Sequence, residues 1–159
     1  MADLLNNTNS NANNYGDDAI VTLSPREHIR LRPGMYVGVV GDGSQPDEAL
    51  YVLIKEVVDN SIDEFIMGAG RQIDITLADN VVTVRDYGRG IPLKSLAAAV
   101  GQMNTGGKYG GDAFKKTVGL NGVGVKAVNM LSEEFTARSV RDGEARTVTF
   151  AKGLEVSDR

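Results

Sequence analysis

Apolar residues recur at helical spacing along one long segment of the chain, residues 47–67. They are Leu50, Leu53, Ile54, Val57, Val58, Ile62 and Phe65. This spacing places most of them on one face of a helix, and Gly68 directly after the segment is typical of a helix end. A shorter helix is predicted to begin at Ser24-Pro25 and to stop at Arg32-Pro33-Gly34, because proline suits the first helical position and Pro-Gly ends a helix.

Two pairs of segments alternate between apolar and polar residues, which is the pattern of β-hairpins. Their turns are Asp79-Asn80 and Arg141-Asp142-Gly143, and Asp-Gly supplies the positive φ values of a tight turn. The predicted strands cover residues 73–77, 82–86, 134–140 and 145–150, and two further helices cover residues 93–102 and 125–131. The fold class expected is α+β, a two-layer sandwich with helices on one face of a mainly antiparallel sheet.

Composition supports a single domain and indicates in which cellular compartment the protein works. A chain of 159 residues with 42% hydrophobic residues can build one core without metals or disulfides. It has no cysteine, and the lone His28 cannot form a metal cluster by itself. These features fit a reducing, cytoplasmic compartment. The net charge of −4 argues against nucleic-acid binding by this stretch, so any DNA contact should lie elsewhere.

Residues 1–14 are rich in asparagine and lack both a basic start and an apolar run. They are therefore expected to be neither a secretory signal nor a membrane anchor. Such a composition cannot bury enough apolar surface to offset the entropy of ordering. We therefore expect a disordered tail.

The long helix carries four polar residues in a defined arrangement: Glu56, Asn60, Asp63 and Glu64. Positions i, i+4, i+7 and i+8 lie on one face of about two helical turns. The four side chains either share a site or form the solvent-facing stripe of an amphipathic helix. In a site, an amide oxygen suits a hard cation such as Mg²⁺, and a carboxylate suits a water molecule that must be polarised. The spacing permits both interpretations.

A second candidate site begins where the first hairpin ends. Residues 86–92 read Asp-Tyr-Gly-Arg-Gly-Ile-Pro, so that a carboxylate leaves an apolar strand and glycines follow it. Glycines let a flat ligand approach the backbone, and the carboxylate can accept a hydrogen bond from an exocyclic amine. A plain strand-to-helix turn would explain the glycines but not the Asp, Arg and Pro that accompany them.

Two glycine clusters flank Lys115 and Lys116, and the second cluster opens a helix. They are Gly106-Gly107-Lys108 and Gly119-Leu120-Asn121-Gly122-Val123-Gly124. Backbone N–H groups at a helix N-terminus, with lysines nearby, suit a phosphate group. Residues 105–112 hold four glycines and are expected to be mobile.

Two familiar phosphate-binding motifs do not fit these clusters. The first cluster is not a P-loop, because Gln102 stands where that motif needs glycine and Tyr109 replaces its Ser or Thr. The second cluster matches the glycines of a dinucleotide-binding fold, but that fold needs a preceding apolar strand. Residues 114–118, with two lysines, make a poor strand.

Three motifs in chain order resemble the signature boxes of the Bergerat ATP-binding fold, which gyrases, histidine kinases, large heat-shock chaperones and mismatch-repair ATPases share. They are Glu56-x-x-x-Asn60, Asp86-x-Gly88-x-Gly90 and Gly119-x-x-Gly122-x-Gly124. Residues 32–36, 56–64 and 88–92 look like the B subunits of bacterial type II topoisomerases in particular, and the likeness covers roughly residues 15–153. Residues 103–106 and 118–122 look closer to topoisomerase IV than to gyrase, where a histidine is common at the position of Asn121.

The resemblance implies a role for each matching residue. Glu56 would be the general base that activates water against the γ-phosphate of ATP, with Asp63 positioning that water. Asn60 would bind Mg²⁺. Asp86 would receive the adenine amino group. The nucleotide-binding set implied by the resemblance is Tyr15, Asn60, Asp63, Glu64, Asp86, Arg89, Gly90, Ile91, Pro92, Gly106, Gly107, Lys108, Lys115, Gly119, Leu120, Asn121, Gly122, Val123 and Gly124.

Within that set, Arg89 and Pro92 would border the adenine pocket, the arginine stacking with Glu64. The glycine clusters with Lys108 would form a lid over the phosphates. Residues 15–24 would be an arm that reaches the other protomer of an ATP-bound homodimer, where Tyr15 would touch the partner's nucleotide. Residues 25–159 would then be part of an ATP-binding domain.

Two parts of the family pattern are not found before Arg159. The family has a threonine near adenine on a strand beyond the second hairpin, and a lysine from a following transducer domain. We therefore expect an incomplete ATP-binding domain whose parent protein couples ATP-driven dimerisation to DNA strand passage, with the topoisomerase A protein and double-stranded DNA as partners. The isolated stretch is expected to hydrolyse ATP barely or not at all. The alternative is a non-hydrolysing nucleotide-binding or interaction module of another Bergerat-fold protein.

Overall fold

The structure is a computed structural model that describes residues 20–105 and 122–159. Several sequence predictions fall outside these residues and stay predictions. They are the tail at residues 1–14, the first half of the arm (residues 15–19 of 15–24), and the binding residues Tyr15, Gly106, Gly107, Lys108, Lys115, Gly119, Leu120 and Asn121.

Five α-helices form in the described part of the chain. They are α1 (Pro25–Leu31), α2 (Gly34–Val37), α3 (Ala49–Ile66), α4 (Leu96–Gly101) and α5 (Gly124–Leu131). The predicted cap of α1 is confirmed, because the Ser24 side chain accepts from the Glu27 N–H while the Glu27 carboxylate accepts from the Ser24 N–H. The helix predicted at residues 93–102 is divided, since a 3-10 turn, Leu93–Ser95, precedes α4. The single turn of α2 was not predicted.

Five strands also form in the described part of the chain. They are β1 (Ile73–Ala78), β2 (Val81–Asp86), β3 (Glu134–Arg141), β4 (Glu144–Ala151) and β5 (Leu154–Asp158). All paired strands are antiparallel, which confirms the α+β class. The single sheet that was expected is divided among the described residues into a β1-β2 hairpin and a β3-β4-β5 sheet.

Strand β5 was not predicted. Leu154 and Val156 alternate with polar residues, so this short segment did carry a weak strand signal, although all five residues are exposed in the structure. Lys152 and Gly153 connect it to β4 with φ values of 50° and 82°, which suit a two-residue hairpin turn.

Helix α5 joins the two buried clusters of the core. Ala127 and Met130 pack with Ile29 and Val37 from the first two helices. On the other side of α5, Val125 packs against a cluster formed by Leu96, Val100, Val148 and Phe150. The buried amide of Asn129 donates to the Val100 carbonyl at 3.0 Å and fixes α5 to α4. The first residues of α5 are therefore placed by packing on both sides.

The long helix α3 turns part of its polar face inward. Asp59, Ser61 and Asp63 are buried, and Asp63 is only 2% exposed. In contrast, Leu50 and Phe65, which were predicted on the buried face, are 50% and 61% exposed. Of the four polar residues Glu56, Asn60, Asp63 and Glu64, Asp63 is buried and the other three are partly exposed, so a solvent-facing stripe does not describe the Asp63 position. Burying a carboxylate has a desolvation cost. The buried carboxylates of Asp59 and Asp63 are therefore not explained by an amphipathic helix that only packs on a core.

Candidate functional site

A bidentate ion pair connects α3 to the loop after β2. Glu64 Oε2 accepts from Arg89 Nε at 3.0 Å, and Glu64 Oε1 accepts from Arg89 Nη2 at 2.9 Å. The backbone N–H of Arg89 also donates to Glu64 Oε2, at 3.1 Å. This hydrogen-bonded carboxylate raises the pKa of Arg89 above its usual value. The glycine-rich loop is thereby held against the polar face of α3.

The carboxylate of Asp86 lies at the end of β2, as the hairpin pattern predicts. Its Oδ1 accepts from the Gly88 N–H at 2.9 Å, which is an Asx turn that fixes the carboxylate where the strand ends. Asp86 lines a cleft of about 300 Å³ between α3 and the start of β1. Ile62, Phe65 and Ile73 give this cleft apolar walls. An exposed carboxylate beside apolar walls suits a flat ligand that carries a hydrogen-bond donor.

A hydrogen-bonded aromatic residue borders the same cleft. Tyr87 donates to Asp74 Oδ2 at 2.7 Å, and the Arg85 guanidinium lies 4.6 Å from the Tyr87 ring centroid. Hydrogen bonds from Gln72 and Tyr87 lower the pKa of Asp74, and the bond to Asp74 raises the pKa of Tyr87. The sequence analysis assigned no role to this group. It ties the edge of the cleft to the β1-β2 hairpin.

The loop after Asp86 is also fixed to β3. Ser139 is buried and donates through Oγ to the Ile91 carbonyl at 2.7 Å. Gly90 has a φ of 72°, and a Cβ atom there would lie 2.5 Å from the Val140 carbonyl oxygen. Only glycine fits both the backbone conformation and the close approach. Residues 86–92 therefore form a rigid segment between α3 and β3.

The other end of the α3 polar face meets the start of α5. A side chain at position 124 would overlap the Glu56 carboxylate, so the glycine there allows Glu56 to lie against the first residue of α5. Asn60, one turn further along α3, donates through Nδ2 to the Glu56 carbonyl at 2.7 Å. This bond restrains the amide group, whose oxygen is on the opposite branch. Glu56 and Asn60 are both partly exposed.

One buried cation near this end was missed by the sequence analysis. Lys126 is 3% exposed and donates through Nζ to the carbonyls of Thr105 and Gly122, at 2.6 Å each. The sequence analysis placed it only within the helix predicted at residues 125–131. A lysine among otherwise buried positions near a helix start was the signal that could have identified it.

The described candidates therefore separate into two groups along α3. Glu64, Asp86, Arg89, Gly90, Ile91 and Pro92 belong to one end, and Glu56, Asn60, Gly122, Val123 and Gly124 belong to the other. Asp63 is buried on the same helix between Asn60 and Glu64. Helix α3 packs against both α5 and β2, so it connects the two groups.

Two other kinds of feature are not found in the described part of the chain. Within residues 20–105 and 122–159, no three His, Asp or Glu side chains are grouped so that they could hold a metal ion. No helix in the same residues is long and apolar enough to cross a membrane.

Comparison with known families identifies the class of site. The sequence profile of the histidine kinase-, DNA gyrase B- and HSP90-like ATPases matches residues 45–155. That range contains all the described residues of both groups. The crystal structure of the 43K ATPase domain of Thermus thermophilus gyrase B in complex with an aminocoumarin has a similar fold, with a TM-score of 0.68 and 28% sequence identity. The match covers 84% of this chain and 34% of that one.

Curated relatives are B subunits of bacterial topoisomerases. The chain is 55% identical over 146 residues to the B subunit of DNA topoisomerase 4 from Borreliella burgdorferi, which covers 92% of this chain and 24% of that protein. It is 42% identical over 153 residues to the B subunit of DNA gyrase from Rickettsia conorii, a match that covers 91% of this chain and 18% of that protein. The B subunit of DNA topoisomerase 4 from Streptococcus pneumoniae is 39% identical over 151 residues, and this match covers 90% of this chain and 23% of that protein. The chain thus spans about a quarter or less of the length of these relatives.

Proposed function

The chain belongs to the family of histidine kinase-, DNA gyrase B- and HSP90-like ATPases, and on that premise we propose that it forms the ATP-binding part of the B subunit of a type II DNA topoisomerase. The observation that supports this most strongly is the rigid segment at residues 86–92, which presents Asp86 at the edge of an apolar cleft. An ATPase domain needs a fixed acceptor for adenine and a separate place for the phosphates. The separation of the candidate residues into two groups along α3 supports the proposal.

At the first end, Asp86 accepts a hydrogen bond from the adenine amino group. Arg89 and Pro92 border the base, and the Glu64 carboxylate orients the guanidinium. The Asx turn at Gly88 holds the Asp86 carboxylate in place before the ligand arrives. Binding then needs little reorganisation of the loop, which favours affinity.

At the second end, Glu56 acts as the general base for the water that attacks the γ-phosphate. Asp63 helps to position that water, and the backbone of residues 122–124 receives the phosphates at the start of α5. Asn60 supplies an oxygen ligand for Mg²⁺. A single amide ligand fits this ion, because Mg²⁺ is usually bound by one or two protein groups together with nucleotide phosphates and water. When bound, the ion would neutralise phosphate charge.

In the whole protein, ATP binding drives dimerisation through the N-terminal arm, and hydrolysis accompanies passage of one DNA duplex through another. The partners are a second copy, the topoisomerase A protein and double-stranded DNA, in the cytoplasm, with the contacts to DNA and to the A protein in other domains. Topoisomerase IV is favoured over gyrase by Asn121 and by the 55% identity to the Borreliella burgdorferi protein. Identity alone does not separate the two classes, since a gyrase relative at 42% exceeds a second topoisomerase 4 relative at 39%.

The adenine end is tested by Asp86→Asn, measured by calorimetric titration with ATP. Asparagine replaces one acceptor oxygen with a donor, so we expect affinity to fall by about 1.5–3 kcal/mol, the usual value for a hydrogen bond to a charged group. Asp142→Asn is the matched control, because Asp142 lies in the β3-β4 turn and its side chain is 90% exposed. Equal ATP affinity in wild type and Asp86→Asn would remove Asp86 from the adenine site.

A further inference from the structure

Lys126 occupies an unusual position for a lysine. It is the third residue of α5, 3% exposed, and its side chain runs back toward the start of the helix to reach the Gly122 carbonyl at 2.6 Å. The same Nζ donates to the Thr105 carbonyl, also at 2.6 Å. Gly122 precedes α5 and Thr105 follows α4, so one ammonium group joins two separate segments of the chain.

The start of α5 is an unfavourable place for a buried cation. A buried ammonium group has a desolvation cost that its hydrogen bonds must offset. A cation near a helix N-terminus is also unfavourable, because the helix dipole is positive there and favours lysine in the last turn instead. Lys126 therefore adds positive charge to a helix end that already attracts anions.

The same helix end is in direct contact with the second group of site residues. Gly124 lies against the Glu56 carboxylate, and Lys126 follows it by two residues. Gly122, whose carbonyl accepts from Lys126, has a φ of 60° just before the helix begins. By holding that carbonyl, Lys126 restrains the backbone directly before the helix start that lies against Glu56.

We propose that Lys126 is a positioning residue for polyphosphate binding: it holds residues 122–124 against Glu56 and supplies fixed positive charge to that end of the site. The inference rests on the proposed function, because it assumes that the phosphates of a nucleoside triphosphate bind at this end. It goes beyond the proposed function because it assigns a role to the Lys126 ammonium group, which acts through the backbone that it holds and not through a contact with the ligand.

The test compares Lys126→Met with wild type in calorimetric titrations with ATP and with adenosine. Methionine keeps most of the apolar stem and removes the ammonium group. We expect ATP affinity to fall about 10-fold or more, as for loss of hydrogen bonds to a charged group, while adenosine affinity stays unchanged. A merely structural role would weaken both ligands together. Lys152→Met is the matched control, since Lys152 forms an exposed ion pair with Glu133 in the β4-β5 turn.

A second measurement needs no substitution and covers the case in which Lys126→Met does not fold. In wild type labelled with ¹⁵N-lysine, the slowly exchanging Nζ protons of Lys126 should be visible by NMR, because the group is buried and hydrogen-bonded. ATP should shift this signal and adenosine should not.

The outcomes separate the two proposals. If wild type binds no ATP, the proposed function fails. If wild type binds ATP but the Lys126→Met protein binds it equally well, the positioning role is overturned and the proposed function stands. An Nζ signal that ATP leaves unshifted would overturn the positioning role in the same way.

Discussion

The two ends of the α3 polar face are built in different ways. At the Asp86 end, three hydrogen bonds from Arg89 to Glu64 and one from Ser139 to Ile91 fix a short loop between a helix and a strand. At the Glu56 end, the described contacts are a close approach of a carboxylate to Gly124 and a buried ammonium that holds backbone carbonyls. The first end is held by directional contacts between elements, and the second depends on charge at a helix start.

Under the proposed function, this difference corresponds to different roles for the two ends. A rigid loop with a fixed acceptor discriminates one base from another, because its geometry is set before the ligand binds. A helix start with added positive charge attracts phosphate without much regard for shape. Substitutions at the two ends should therefore differ in kind: those at the Glu56 end should change turnover or binding of the phosphates, and those at the Asp86 end should change stability or recognition of the base.

The largest effect is expected for Glu56→Ala, measured as ATP turnover in a chain extended to the length of its relatives. Loss of a general base lowers the rate about 10²–10⁴-fold, while ATP binding should be largely retained. Asn60→Ala should weaken binding as well, because Mg²⁺ connects the phosphates to the protein. Glu144→Ala, at the exposed start of β4, is the control. Turnover at the wild-type rate in Glu56→Ala would end the general-base assignment.

The next effect is on stability, for Gly90→Ala at the Asp86 end. The positive φ of 72° costs a non-glycine residue about 1–2 kcal/mol, and the Cβ atom would also press on the Val140 carbonyl at 2.5 Å. We expect a loss of about 2–3 kcal/mol in the free energy of unfolding, measured by urea denaturation.

Gly68→Ala is the matched control for that measurement. Gly68 has a φ of 85°, but a Cβ atom there meets nothing within 4 Å. Gly68→Ala should therefore report the backbone strain alone, about 1–2 kcal/mol. If the two variants lose equal stability, the contact of the loop with β3 contributes nothing measurable.

A smaller effect of a different kind is expected for Gly124→Ala. Its Cβ atom would displace the end of the flexible Glu56 side chain, not backbone. The free energy of unfolding should fall by less than about 1 kcal/mol. Turnover in the extended chain should fall about 10-fold, because Glu56 moves out of position. Unfolding and turnover should be measured on the same preparation. A Gly124→Ala protein that loses stability but keeps its turnover would contradict the close contact with Glu56.

The smallest effect is expected for Arg89→Lys. Lysine keeps the charge but cannot form the two parallel bonds that the guanidinium makes with Glu64. Because the Arg89 side chain is 53% exposed, the loss of stability should be within about 0.2–1 kcal/mol. Thermal melting of Arg89→Lys beside wild type measures it. A larger loss would mean that the ion pair, more than the contact with β3, fixes the loop.

Periodicity predicted the helices and hairpins because their own residues carry the signal. The core of α3 and both turns Asp79-Asn80 and Asp142-Gly143 follow from local spacing and turn chemistry. The features that were not predicted depend on tertiary contacts or are very short elements. Strand β5 is only five residues long and carries two apolar residues, Leu154 and Val156, so its alternation is a weak signal.

The site was predicted unevenly for the same reason. Motif order predicted roles for Glu56, Asn60 and Asp86, which stay predictions, and the structure has the first two in adjacent turns of α3. Burial of Asp63 could not be read from spacing, because a polar face can point to solvent or to a ligand. Lys126 was missed because its role depends on a carbonyl 21 residues away in the chain.

The most direct test of the two-ended site is amide hydrogen exchange of the wild-type chain with adenosine and with ATP and Mg²⁺. Exchange reports local protection residue by residue. Adenosine should slow exchange at residues 86–92 only, and ATP should slow exchange there and at residues 122–126. If ATP slows exchange at neither segment, or adenosine protects the start of α5 as strongly as ATP does, the assignment of base and phosphates to opposite ends of α3 is contradicted.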